Sequence, residues 1–190
     1  MSGFAGIYFR TLDRSASLPI EKMVASLKHR GPDGIHVWQE EEVGLGQCTL
    51  NTGVYSGPAA GLQTTTGRFV GVGDVRIDNR PDVISKLELR GDSGELSDVA
   101  LAVLLVEQYG DSAPELIDGD FAFAVYDRKD RRLICARDHF GTRPIYWYCD
   151  NDVLIFGSEI KAILSTGLVQ ETIDTQKVED FLVGLQASIS

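Results

Sequence analysis

An apolar, strand-like segment begins at the third residue of this chain, Gly3-Phe-Ala-Gly-Ile-Tyr-Phe9. Chain ends ordinarily fray. A strand that starts this early predicts a terminus held inside a sheet, so the fold has to be built around its own N-terminus. Later in the chain four more strand candidates follow in quick order, Asp120–Tyr126, Arg132–Arg137, Pro144–Tyr148 and Val153–Phe156. The charged Arg128-Lys-Asp-Arg131 between the first two reads as a hairpin turn.

Between these lie further strands at Ile35–Gln39, Val43–Leu50 and Arg68–Ile77, with a Gly-, Thr- and Ser-rich loop from Asn51 to Gly67. Helices are expected from Pro19 to His29, from Asn79-Arg80-Pro81 to about Leu89, over Val99–Tyr109 behind a Ser97-Asp98 cap, and over Ser112–Ile117, Lys161–Leu164 and Thr175–Leu185. Hairpin strands mixed with blocks of helices indicate an α+β chain with antiparallel sheets.

The 190 residues suffice for one domain with a real core. A net charge of −10 argues against a sequence-independent grip on nucleic acid, which needs basic patches. No apolar run is long enough to span a membrane, and Met1 to Phe9 lacks the basic start of a secretory signal. The three cysteines, Cys48, Cys135 and Cys149, are scattered and form no C-x-x-C, so no metal site is expected, and a reducing, cytoplasmic setting is.

Three stretches carry a family resemblance: His29-Arg-Gly-Pro-Asp-Gly34; Gly119-Asp-Phe-Ala-Phe-Ala-Val-Tyr-Asp127 with Ala136-Arg-Asp-His-Phe-Gly-Thr-Arg-Pro-Ile-Tyr-Trp147; and Phe156-Gly-Ser-Glu-Ile-Lys-Ala-Ile163. Together they resemble the class II glutamine amidotransferase domain of the asparagine synthetase family. The resemblance implies a four-layer α/β/β/α sandwich of two antiparallel sheets, the N-terminal-nucleophile hydrolase fold. It covers 1–185 as the amidotransferase-like domain and leaves 186–190 as a tail or linker toward a synthetase domain. Read on their own, these motifs are structural. The first is a tight loop, Arg137-Asp138 with Arg143 a charged pair at a strand edge, and Glu159 and Lys161 solvated residues at a strand-to-helix junction.

In the resembled family the side chain of the residue after Met1 attacks the glutamine amide, and its own α-amine is the nearby base. That residue is Ser2 here, where the family normally has Cys. Met1 before a small residue is normally removed, which exposes Ser2 without being evidence of catalysis. By the resemblance, Thr49 falls where an Arg pairs with the glutamine carboxylate. Asp74 and Val75 fall where an Asn and a Gly build the oxyanion hole, and Arg76 falls where a Glu stands. Asp98 alone matches, at the position that holds the substrate amino group; it reads equally well as a helix N-cap. A carboxylate at Asp74 offers an acceptor where a donor is needed, and the Val75 Cβ is expected to narrow the approach. Cys48 is a substitute nucleophile only if it is not simply buried in its strand.

The resemblance therefore implies a degenerate glutaminase site. No cofactor is expected in this domain; ATP and Mg²⁺ would belong to a synthetase half, in cis or trans, whose Ser-Gly-Gly-x-Asp-Ser loop does not occur here. Arg76-Ile-Asp-Asn-Arg80 looks most like the lasso-peptide macrolactam synthetases and β-lactam synthetases, in which the attacking amine is the substrate's own. Two other readings stay open: an active amidotransferase that uses Ser2, and a peptide- or protein-binding module with Arg76 and Asp98 as anchors.

Overall fold

The computed structural model describes residues 1–10, 18–51, 66–89 and 96–182. The loop expected from Asn51 to Gly67 lies mostly outside these residues, as do the 186–190 tail and the last residues of the final helix.

The strands are β1 (Gly3–Phe9), β2 (Gly34–Glu40), β3 (Val43–Thr49), β4 (Phe69–Ile77), β5 (Gly119–Asp127), β6 (Arg132–Arg137), β7 (Tyr146–Cys149) and β8 (Val153–Gly157). The helices are α1 (Ile20–Ser26), α2 (Arg80–Lys86), α3 (Asp98–Tyr109), α4 (Ile160–Leu164) and α5 (Thr175–Leu182), with 3₁₀ turns at Lys28–Arg30 and Gly110–Leu116. One sheet runs β2-β3-β1-β8-β7 and the other β4-β5-β6. All pairings are antiparallel. The terminal strand β1 is thus the central strand of the larger sheet, as its early start predicts.

Two-residue alternation sorts the apolar side chains into layers. Phe4, Val43, Leu45, Val70, Val72, Ala122, Ala124, Tyr126 and Phe156 meet between the two sheets. Ala5, Ile7 and Phe9 face the other way, onto Ile20, Met23 and Val24 of α1 and Ala162 and Ile163 of α4. Phe121, Phe123 and Val125 face Leu101, Leu105 and Val106 of α3 and Val83 of α2. Three apolar layers separated by two sheets make the four-layer α/β/β/α sandwich of the N-terminal-nucleophile fold.

The close sheet contact needs small residues at particular places. A Cβ on Gly6 would lie 2.1 Å from the Phe156 ring, so the ring occupies the space that a larger residue would take. The hairpin expected at Arg128–Arg131 joins β5 to β6, but β7 and β8 belong to the opposite sheet. The chain therefore changes sheets between Arg137 and Tyr146. Asp138 organises this crossing: buried, it accepts from the backbone N–H groups of Phe121, Phe140, Thr142 and Arg143 at 3.3, 3.1, 3.0 and 3.2 Å. Burial works against its ionisation, yet these four donors hold the carboxyl below its usual range. The reading of Arg137-Asp138 with Arg143 as a charged pair on a strand edge is corrected here: Asp138 is a buried loop anchor and Arg143 points into the site described next.

Candidate functional site

The site forms where the start of β1, the end of β3 and the second half of β4 meet. Ser2 precedes β1, and the β1–β3 register sets Gly3 opposite Cys48, which brings Ser2 beside Thr49 and Leu50. Asp74 shares the inter-sheet face of β4 with Val70 and Val72, so alternation aims it across the gap at Ser2.

Every polar atom of Ser2 is engaged. Its N–H donates to Asp74 Oδ1 at 3.2 Å, its hydroxyl oxygen accepts from the Leu50 N–H at 3.1 Å, and its carbonyl accepts from Arg30 Nε at 3.1 Å. Arg143 Nη1 reaches Asp74 Oδ2 at 3.3 Å. Asp74 is 7% exposed. Burial pushes its carboxyl above the usual range, opposed by the charges of Arg143 and the chain terminus, the Ser2 N–H and the charge of Arg30. Alongside, Gln47 Oε1 accepts from the Gly73 N–H at 3.1 Å, a second polar tie between the sheets.

Arg30 is itself held. Glu159, at the start of α4, accepts from Arg30 Nη1 at 3.1 Å, His29 Nε2 lies 2.9 Å away and Lys161 Nζ lies 3.0 Å from its other oxygen. Burial would raise this carboxyl; the bonds from Lys161, Arg30 and His29 prevail and hold it at about 2. Glu159 and Lys161 are thus not merely solvated, as the sequence reading had them. They pin the His29–Gly34 loop to α4. The loop also packs hard on β3: a Cβ on Gly31 would sit 2.3 Å from the Cys48 carbonyl group.

The residues singled out from the sequence divide into two groups. Ser2, Thr49 and Asp74 converge. The Thr49 hydroxyl is buried with no hydrogen-bond partner among the described residues, and it supplies no cation for a carboxylate. Val75, Arg76 and Asp98 do not join them. Val75 packs against the α3 side of its sheet, so its Cβ does not narrow the approach to Ser2, contrary to expectation. Arg76 is half exposed and paired with Asp78 and Asp120 at 3.0 and 3.2 Å. Asp98 accepts from the Ile77 N–H at 3.0 Å and pairs with the buried Arg80, whose Nη2 also reaches the Leu96 carbonyl. Both of its carboxylate oxygens are engaged within the fold. The α3 cap is Ser97, whose hydroxyl accepts from Ala100 N–H at 3.2 Å, so Asp98 is not the cap either.

Sequence reasoning missed Arg30, Gln47 and Arg143. Arg30 lies inside a quoted motif, but its contact with Ser2 is a tertiary one made from the 3₁₀ turn; Arg143 arrives through the sheet crossing. Cys48 is buried, its thiol directed at the Val24 carbonyl at 3.3 Å, and burial raises its pKa. It is a core residue and not a nucleophile.

The sandwich with a serine at the head of its central strand defines the class: an N-terminal-nucleophile amidotransferase fold. Residues 1–189 match the glutamine amidotransferase domain family, and the chain belongs to it. It is 29% identical over 158 residues to asparagine synthetase [glutamine-hydrolyzing] 3 of Bacillus subtilis, a match covering 82% of this chain and 26% of that protein. It is 28% identical over 183 residues to putative asparagine synthetase [glutamine-hydrolyzing] 2 of Methanocaldococcus jannaschii, covering 84% and 35%. Among solved structures, the glutamine phosphoribosylpyrophosphate amidotransferase from B. subtilis superposes with a TM-score of 0.66 at 17% identity, over 87% of this chain and 43% of that one. The chain thus spans about a quarter to a third of the asparagine synthetases it matches. No helix among the described residues is long and apolar enough to cross a membrane.

Proposed function

We propose that this domain does not split glutamine and serves as the structural, glutaminase-like half of an asparagine-synthetase-related, ATP-dependent amide-forming enzyme. The observation that carries this reading is the buried Asp74 carboxylate, 3.2 Å from the Ser2 nitrogen and paired with Arg143. Amide hydrolysis develops negative charge on the carbonyl oxygen, which needs N–H donors aimed at it. Removing one such donor costs roughly 10²–10³ in rate, and a carboxylate in its place adds repulsion. Thr49 adds a second deficit, because a buried neutral hydroxyl cannot replace a bidentate guanidinium as a carboxylate anchor. Asp98, the one matching position, has its carboxylate occupied by Arg80 and the Ile77 N–H.

A family member without a glutaminase still has use for its synthetase half when the attacking amine is the substrate's own. That is the chemistry of the lasso-peptide macrolactam and β-lactam synthetases, and we place this domain with them. The synthetase half, in cis or trans, would bind ATP and Mg²⁺ and activate a carboxylate.

A glutamine analogue bearing an electrophilic diazoketone tests the reading. Incubated with the purified chain, it is expected to leave the intact mass unchanged. A mass gain that maps to Ser2 and is lost in Ser2→Ala would instead identify a serine nucleophile and a live amidotransferase.

A further inference from the structure

Ser2 is fixed from three directions before any processing takes place. Arg30 holds its carbonyl, the Leu50 N–H holds its hydroxyl, and the pairing of Gly3 with Cys48 sets the strand that follows. Removal of Met1, which is 55% exposed, leaves the Ser2 nitrogen in place and changes its chemistry. A neutral amide becomes a primary amine that can carry a positive charge, 3.2 Å from a buried carboxylate oxygen.

We propose that, once Met1 is removed, Asp74 holds the Ser2 α-amine as a partly buried ammonium and so takes it out of use as a base. The inference rests on the non-catalytic reading above and gives that reading a physical cause. An amine serves as a base only in its neutral form, and an adjoining carboxylate stabilises the charged form. Asp74 thereby becomes the centre of a three-member cluster, with one oxygen serving Ser2 and the other serving Arg143.

The charged groups around the amine come from four elements. Asp74 belongs to β4, Arg143 to the sheet crossing and Arg30 to the 3₁₀ turn, while Glu159 at α4 offsets the charge of Arg30. Arg143 opposes protonation of the amine, but it acts through the far oxygen of the same carboxylate. Asp74 touches the nitrogen directly, and its low exposure limits screening by water. Burial raises the Asp74 carboxyl, and the terminal charge, one residue further out in the unprocessed chain, already works against that rise. Processing moves that charge onto the atom that Asp74 holds. An amine paired in this way adds stability that is present below its unfolded pKa, about 7.7–8.0, and is lost as pH rises through its higher folded value.

The test is a titration of the processed chain labelled with ¹³C-serine. The Ser2 Cα and Cβ signals, identified by their loss in Ser2→Ala, are followed from roughly pH 6 to pH 10. The amine is expected to titrate clearly above about 8, and Asp74→Asn is expected to lower the midpoint by about one unit or more. Arg143→Met, which removes the competing cation, is expected to raise it. A wild-type midpoint at or below about 8 overturns the proposal even if neither variant folds, and so does a midpoint that Asp74→Asn leaves unmoved. An inert protein with an ordinary amine would sink this proposal alone; glutamine turnover would sink the non-catalytic reading whatever the amine does.

Discussion

Asp138 is the residue whose loss reaches furthest from its own position. Its two carboxylate oxygens divide four backbone donors between them: Oδ1 takes the N–H groups of Phe140 and Thr142, and Oδ2 those of Phe121 and Arg143. A hydrogen bond to a charged group is worth about 1.5–3 kcal/mol, and bonds that share one acceptor group do not add in full. Asp138→Ala leaves all four donors without this partner, the Phe121 N–H in a buried setting and the other three in a part-buried one. We expect a loss of about 4 kcal/mol, which is a large part of the roughly 5–15 kcal/mol that holds a domain together. Asp138→Asn keeps one acceptor oxygen and turns an NH₂ toward the other donors, so about 2 kcal/mol is expected. Urea unfolding of the three proteins at neutral pH reads both values from the transition midpoints, provided the slopes agree. Because the folded carboxyl lies below its ordinary value, its contribution is complete above the unfolded pKa of about 3.9 and drains away as pH falls through the folded one. The gap between wild type and Asp138→Asn is therefore expected to close in acid. A cost below about 1 kcal/mol for Asp138→Ala would refute the assignment of this residue as the anchor of the sheet crossing.

Two further outcomes follow from contacts around the His29–Gly34 loop. Gly31→Ala places a methyl 2.3 Å from the Cys48 backbone, which cannot yield as a side-chain tip would; a loss of about 2 kcal/mol or more in urea unfolding is expected. Glu159→Gln weakens the pin that Arg30, Lys161 and His29 make with this residue. Its carboxyl is held at about 2, against an unfolded value of about 4.3, so the stability it adds is complete above about pH 5 and disappears as pH falls toward 2. A difference between wild type and Glu159→Gln that grows in acid would contradict this.

Strand positions were legible in the sequence because alternation and turn residues are local signals. β1 and β6 match their expected spans, and the others shift by a residue or two at their ends. The resemblance implied two antiparallel sheets, but which strands share a sheet was not legible. β6 and β7 look like neighbours along the chain, yet they lie in different sheets, and what separates them is the set of N–H bonds to Asp138. The same non-local event hid Arg143, which reads as a surface charge until the crossing carries it to Asp74. For the candidate site, the motif positions placed Ser2, Thr49 and Asp74 together. Val75 differs because adjacent residues on a strand face opposite ways, and one residue beyond Asp74 is the α3 side. Asp98 differs because its partner, Arg80, belongs to another helix and carries no sequence mark of being buried. The cap at Ser97 was legible, being a contact three residues long.

The central claim is that a glutaminase fold survives here without glutaminase chemistry, and glutamate release tests it most directly. The chain is purified, its intact mass is checked for loss of Met1, and it is incubated with glutamine beside Ser2→Ala. The account predicts no glutamate above background and no difference between the two proteins. Steady release by the processed wild type that vanishes in Ser2→Ala would contradict it, and would mean that Asp74 and Arg143 permit a catalytic arrangement that their pairing argues against.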